Sequence, residues 1–403
     1  AGTPPNPVGW LLTVARTGLR DLYRSAARRT SVPLTDGGGG GFDAGGGEFD
    51  GSGMAGSGEF DDGGMAGGGE FDDGGAGAAL PARSGAAEEP GMIPDRRLAL
   101  MFVCAHPAIA PAVRTPLMLQ TVLGLTAARI AAAYLLPESA VAQRLVRAKR
   151  RILAAGIPFT VPGVAAMPSR LTAVLEAIYG AYSIDWPAVA GPSPRDTLAE
   201  EARYLAGTVA ELLPDEPEAS GLAALISLSM ARAGARAVAG RGYVPLEDQD
   251  TRLWDAGLIR AGEAMLLRAH ASGRPGRFQL EAAIQSVHCA RAATGATDWA
   301  ALVALYSALV RLAPTLGARV SLAAAIGRAE GPAAGLAVLD RLAGEPAVSA
   351  AVGRFQPAWA TRAALLAAAG RTEEAAAAYG KAAALSTEPA VRRYLLDRRS
   401  GLP

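Results

Sequence analysis

Cysteine, lysine and aromatic residues are scarce in this chain. Two cysteines, Cys104 and Cys289, make no disulfide framework and fit a reducing cytosol. Aromatics are only 5% of the 403 residues while half are hydrophobic, which describes alanine-rich helical packing better than a β-rich core. Lysine is nearly absent, Lys149 and Lys381 standing among many arginines. No uncharged apolar run reaches 18 residues and no secretory signal is visible, which argues against a membrane span. The phosphate-binding P-loop, the dinucleotide fingerprint and the nucleophile elbow are all missing. A net charge of +1 gives no global field for nucleic acid, so any DNA contact must come from a local patch. The opening AGTPPNPVGW begins on Ala and reads as a chain starting part-way through a longer protein.

One local patch stands out. TPLMLQTVLGLTAARIAAAYLLPESAVAQRLVRAKRRIL, Thr115 to Leu153, predicts three short helices. The first covers Pro116–Val122 and is broken by Gly124. The second covers Thr126–Tyr134, with Thr126 as its N-cap. The third opens at Pro137 and runs to about Leu153. Two helices on a tight turn, the second basic, form the layout of a helix-turn-helix DNA reader. At about 100° per residue, Val141, Leu145, Ala148 and Ile152 share an apolar stripe. Ser139, Gln143, Arg147 and Arg150 fall opposite, and Arg144, Lys149 and Arg151 flank the seam. Gln and Arg can pair bidentately with adenine and guanine edges, while flanking cations neutralise phosphates. An ordinary amphipathic helix with solvated arginines has the same phase.

PESAVAQRLVRAKRRI, preceded by RRLALMFVCAHPAIAP and followed by AGIPFTVP, resembles region 4 of the sigma-70 family. More narrowly, it is similar to extracytoplasmic-function sigma factors with a long tetratricopeptide-like C-terminal extension. Pro137, Glu138, the run Ala142 to Lys149, His106-Pro107 and Ala155 to Pro158 carry the likeness. Arg129 departs from it, since region 4 commonly has a glutamate there. NPVGWLLTVARTGLRDLYR is similar to the end of region 2. There Trp10, Leu11, Val14 and Leu22 lie in one apolar arc of a helix over Pro7–Arg29, with Arg16, Arg20 and Arg24 on the other side. Thr17 replaces an asparagine common in that family. The resemblance implies that region 4 docks on core RNA polymerase and reads the −35 element of promoter DNA. The region 2 helix would meet the −10 element, and the extension would modulate activity. It implies no catalysis by the chain, no cofactor and no metal.

The expected organisation is all-α with four parts: a region 2 remnant at 1–35, a linker at 36–91, a helix-turn-helix domain at 92–160 and a helical extension at 161–403. The linker repeats GEFD-type units with an eleven-residue step, marked by Glu48, Glu59 and Glu70. Glycine this dense cannot offset its backbone entropy by burying side chains, so disorder is expected there. A calcium β-roll has a nine-residue period and fits poorly.

From Pro168 onward a 3.6-residue apolar period continues between Pro/Gly turns, and ALLAAAGRTEEAAAAYGKAAAL (364–385) is strongly tetratricopeptide-like. Such units bury their faces by stacking and offer a curved surface to a protein or peptide partner. Three further clusters are weighed as sites. Cys104 and His106, with His288 and Cys289, have zinc-ligand chemistry but not zinc-knuckle spacing, and their apolar surroundings favour packing. VPLEDQDTRLWD (244–255) and IYGAYSIDW (178–186) concentrate carboxylates and aromatics. Without an accompanying nucleophile or phosphate loop, they read as structural or interface-forming. The rival to promoter recognition is a protein-interaction scaffold whose helix-turn-helix only packs.

Overall fold

A computed structural model describes residues 93–134, 136–154, 160–185, 198–238 and 242–403. The region 2 helix with Arg16, Arg20 and Arg24, and the repeats of 36–91, lie outside the described residues.

The described chain is helical, apart from one antiparallel ladder of two short strands, β1 (Ala237–Val238) and β2 (Gly242–Tyr243). Four helices come first: α1 (Arg96–Cys104), α2 (Pro111–Thr121), α3 (Ala127–Ala133) and α4 (Glu138–Ala154). The array follows with α5 (Pro168–Asp185), α6 (Leu198–Leu212), α7 (Pro217–Met230), α8 (Ala256–Ala271) and α9 (Arg277–Cys289). After the short α10 (Arg291–Thr294) come α11 (Trp299–Leu312), α12 (Leu316–Ala329), α13 (Pro332–Gly344) and α14 (Ser349–Arg354). The last three are α15 (Gln356–Ala368), α16 (Thr372–Leu385) and α17 (Pro389–Ser400).

The centre of the array is α7. Its sequence, PEASGLAALISLSM, has no polar face, and every residue except Glu218 is buried. A helix apolar on all sides must be surrounded, and α6, α8 and α9 pack around it. The half-buried Glu218 has a second use. Glu218 accepts hydrogen bonds from Phe278 N (2.9 Å) and Gln279 N (3.2 Å), capping α9 from a neighbouring helix. Gly276 supplies the N-cap backbone of α9 but has no side chain to do the capping. A Cβ at Gly276 would meet Glu218 Cδ at 2.1 Å, so the borrowed cap requires glycine there.

One hydrophobic core runs without a break from Ile93 in front of α1 to Ala325 in α12. A second runs from Val320 in α12 to Leu395 in α17. The first four helices therefore share their core with the front of the array. Arg97 of α1 pairs with Glu201 of α6 at 2.8 Å, and Arg170 of α5 donates to the carbonyl of Phe102 at 3.0 Å. The tight turn expected near Gly370 is present: α15 ends at Ala368, Gly370 has φ +73°, and α16 starts at Thr372 with Ala375 and Ala378 buried.

Three of the four carboxylates of 244–255 are engaged. Glu247 pairs with Arg328 at 3.0 Å, Asp250 with Arg252 at 2.7 Å, and Asp255 caps α8 through the N–H groups of Gly257 and Leu258. Arg291 donates to the carbonyls of Glu247 and Gln249 and lies 5.0 Å from the Trp254 ring. This segment is a bracket joining α7, α8, α10 and α12. Among the described residues no group of three His, Cys, Asp or Glu side chains is placed to hold a metal. Cys104 and Cys289 are both buried. No described helix is long and apolar enough to cross a membrane.

Candidate nucleic-acid interface

The local structure around α4 follows from a few residues. Gly124 takes φ +69°, a left-handed conformation that reverses the chain between α2 and α3 and that residues with a Cβ rarely adopt. Thr126 then caps α3, its hydroxyl accepting from Arg129 N at 3.2 Å. Leu136 N bonds to the carbonyl of Ala131 at 2.9 Å, closing the turn into α4. Pro137 lies just outside the helix, and its carbonyl accepts from the N–H groups of Ala140 and Val141.

The first helix of the trio differs from expectation. It starts at Pro111 rather than Pro116 and ends at Thr121, so Pro116 sits inside it. Proline at the first helical position is favourable, and Pro111 takes that place. Pro116 forfeits one backbone bond. It lines the small crevice where α2, α3 and α4 meet, together with Ile130, Tyr134 and Val141.

The stripe on α4 has the expected phase. Val141 and Leu145 are buried, Ala148 and Ile152 are half-buried, and all four face the other helices. Ser139, Gln143, Arg147 and Arg150 are exposed, as are Arg144, Lys149 and Arg151. Behind the stripe lie Leu117, Met118 and Leu119 of α2, Leu125, and Ile130 of α3, all buried in the same core. This core holds α4 in place and leaves its polar side facing solvent.

The charge on α4 is strongly of one sign. The helix carries five cations, Arg144, Arg147, Lys149, Arg150 and Arg151, and one carboxylate, Glu138 in its first turn. Among the described residues none of the five forms an ion pair. In the array Arg203, Arg277, Arg319, Arg328, Arg362 and Arg371 each pair with a carboxylate, while α17 carries exposed Arg392, Arg393, Arg398 and Arg399 that form no ion pair among the described residues. Arg147 lies along its own helix, its Nε donating to the carbonyl of Gln143 at 3.3 Å. Lys149 reaches sideways to Gln120 Oε1 of α2 at 2.9 Å. Gln143 and Arg147 are therefore neighbours on one open face, and Lys149 marks the edge toward α2. Gln120 is the residue that the reading of α4 alone missed, because nothing in the α4 pattern points to a partner 29 positions earlier.

The loop before α2 is tied down by Arg114. Its Nε donates to the carbonyl of Ile109 at 2.8 Å and its Nη2 to that of Pro107 at 3.0 Å. His106 Nδ1 accepts from Ala108 N at 3.2 Å in the same loop.

Residues 170–270, from α5 to α8, match a family of unknown function (DUF6596). An uncharacterized protein of Rhizobium meliloti (strain 1021) is 40% identical over 249 residues, which cover 62% of this chain and 59% of that protein. The chain thus spans somewhat less than two thirds of that relative's length. No solved structure matches.

Proposed function

We propose that this protein is a promoter-recognition factor of RNA polymerase, of the extracytoplasmic-function sigma kind. In this reading α1–α4 act as region 4, and α4 lies in the major groove of the −35 element. Gln143 and Arg147 meet base edges, with Ser139 and Arg150 beside them. Arg144, Lys149 and Arg151 meet phosphates. The residues around Arg16, Arg20 and Arg24 take the −10 element. The helices from α5 onward form a tetratricopeptide-like extension that sets when the reader is available.

One observation carries this reading. The exposed side of α4 presents five cations without ion-pair partners among the described residues, beside an exposed glutamine, on a helix whose opposite side is locked into a core. A polyanion supplies what such a face lacks, and DNA does so with groups that Gln and Arg can also read. The shared core with the array supports the regulatory part, since a shift of α5 or α6 would be felt by α1 and α2.

That shared core also favours a second reading, in which the helix-turn-helix is a packing module at one end of a protein-interaction scaffold. Retention on immobilised core RNA polymerase separates the two. A sigma factor is retained and released by competing sigma factor, whereas a scaffold passes through.

A further inference from the structure

A cavity of about 410 Å3 opens between α5, α7, α9 and the segment around β2, with no residue of α4 in its lining. Its size falls within the range of small-molecule sites. Rings from several elements line it, among them Tyr179 and Tyr182 of α5, Tyr243 of β2 and Tyr306 of α11.

Arg232, just past the end of α7, forms part of the wall and is only 7% exposed. Its Nη2 donates to Gln285 Oε1, but its buried Nε and Nη1 have no acceptor. No described carboxylate forms an ion pair with it. The nearest candidate on the same wall, Glu281, is already held by Arg277 at 2.8 Å, and Arg277 also holds Glu176 at 2.7 Å. Gln249, also on the wall, has the complementary lack. Its Nε2 donates to the Val244 carbonyl at 3.2 Å, but its buried Oε1 receives nothing.

A guanidinium does not escape burial by releasing its proton. An uncompensated buried charge costs several kcal/mol, and buried polar atoms without partners are rare in native folds. Here a cation's donors and an amide's acceptor go unmet around one open volume with aromatic walls. We propose that this cavity binds a small monoanionic organic carboxylate. Its carboxylate neutralises Arg232, its ring or apolar body lies against the tyrosines, and a donor on it, where present, reaches Gln249. Inorganic phosphate fits less well, because it has no ring or apolar body to lie against the tyrosines. Most of this wall lies in the 170–270 stretch matched by the family of unknown function. The site stands whether or not α4 reads DNA.

Isothermal titration of the full chain tests it, using benzoate and 4-hydroxyphenylacetate as probes, benzamide as the uncharged counterpart and inorganic phosphate as the anion without a ring. The expected result is binding of at least one carboxylate about tenfold or more tighter than benzamide and phosphate. Arg232→Met should weaken that binding about tenfold or more, while the melting temperature of the unliganded protein stays level or rises. No heat from either carboxylate up to about 10 mM, equal binding of acid and amide, or tighter binding of phosphate would overturn the proposal. So would an Arg232→Met variant that melts lower yet keeps its carboxylate affinity. If that variant does not fold, the acid-against-amide comparison on the unaltered chain decides.

Discussion

Lys149 Nζ donates to Gln120 Oε1 across 2.9 Å, joining the outer edge of α4 to α2. Both groups are at the surface, so the bond itself adds little stability. Its value is positional. It turns Lys149 toward α2 and leaves Gln143 and Arg147 as the centre of the open face. Lys149 should therefore serve a phosphate beside the groove rather than a base in it. Lys149→Ala is expected to weaken DNA binding by a similar factor on any sequence and to lower the salt slope by about 1. Anisotropy titrations on specific and scrambled duplexes check this; a loss confined to one sequence would refute it.

The two sides of α4 should separate in stability measurements. Leu145 is 2% exposed in the core between α2, α3 and α4. Leu145→Ala is expected to cost about 2–5 kcal/mol, the usual range for truncating a buried leucine. Gln143→Ala on the open side should stay within about 0.5 kcal/mol of the parent. Urea denaturation of both variants measures the contrast, and equal losses would mean that α4 is packed on both sides.

Glu218 and Gly276 make a pair that can be broken from either side. Glu218→Ala leaves the N–H groups of Phe278 and Gln279 without their acceptor and should cost about 1–3 kcal/mol. Gly276→Ala forces a Cβ into the same carboxylate and should also destabilise. In the Glu218→Ala background, Gly276→Ala should cost less, because the obstructing carboxylate is gone. A double-mutant cycle reads that coupling; strict additivity would show that the two do not meet.

His288 supplies a pH dependence. Loss of water around its ring, with Arg232 and Arg291 nearby, pushes its pKa from the ordinary 6.5 down to about 3. The unfolded chain therefore takes up this proton first as the pH falls. Stability from this residue is intact above about pH 6.5 and is lost progressively down to about pH 3, by at most about 1.4 kcal/mol per pH unit. His288→Gln should flatten the fall in melting temperature between pH 6.5 and 4. An unchanged slope would assign the acid sensitivity to other groups.

Local rules made much of the stretch from α2 to α4 legible beforehand. Gly124 and Thr126 mark the chain reversal and the cap by conformational preference and side-chain chemistry, and both act as expected. The α4 stripe was legible because a helix packed on one side leaves a 3.6-residue record. The start of α2 was misplaced because two prolines, Pro111 and Pro116, both suit a first turn. Less could be read in the array. The acidic run at 244–255 resembles a charged site in sequence, but its partners Arg291 and Arg328 lie far along the chain. Arg232 gave no signal at all, since an arginine after an apolar helix normally reaches water.

Promoter reading by α4 is the central claim, and fluorescence anisotropy of the full chain on a −35-bearing duplex, titrated across salt concentrations, tests it most directly. The account predicts that Arg147→Ala lowers affinity by about 1–3 kcal/mol where Arg147 pairs with a base, or lowers the salt slope by about 1 where it meets a phosphate. Unchanged affinity together with an unchanged slope would contradict it.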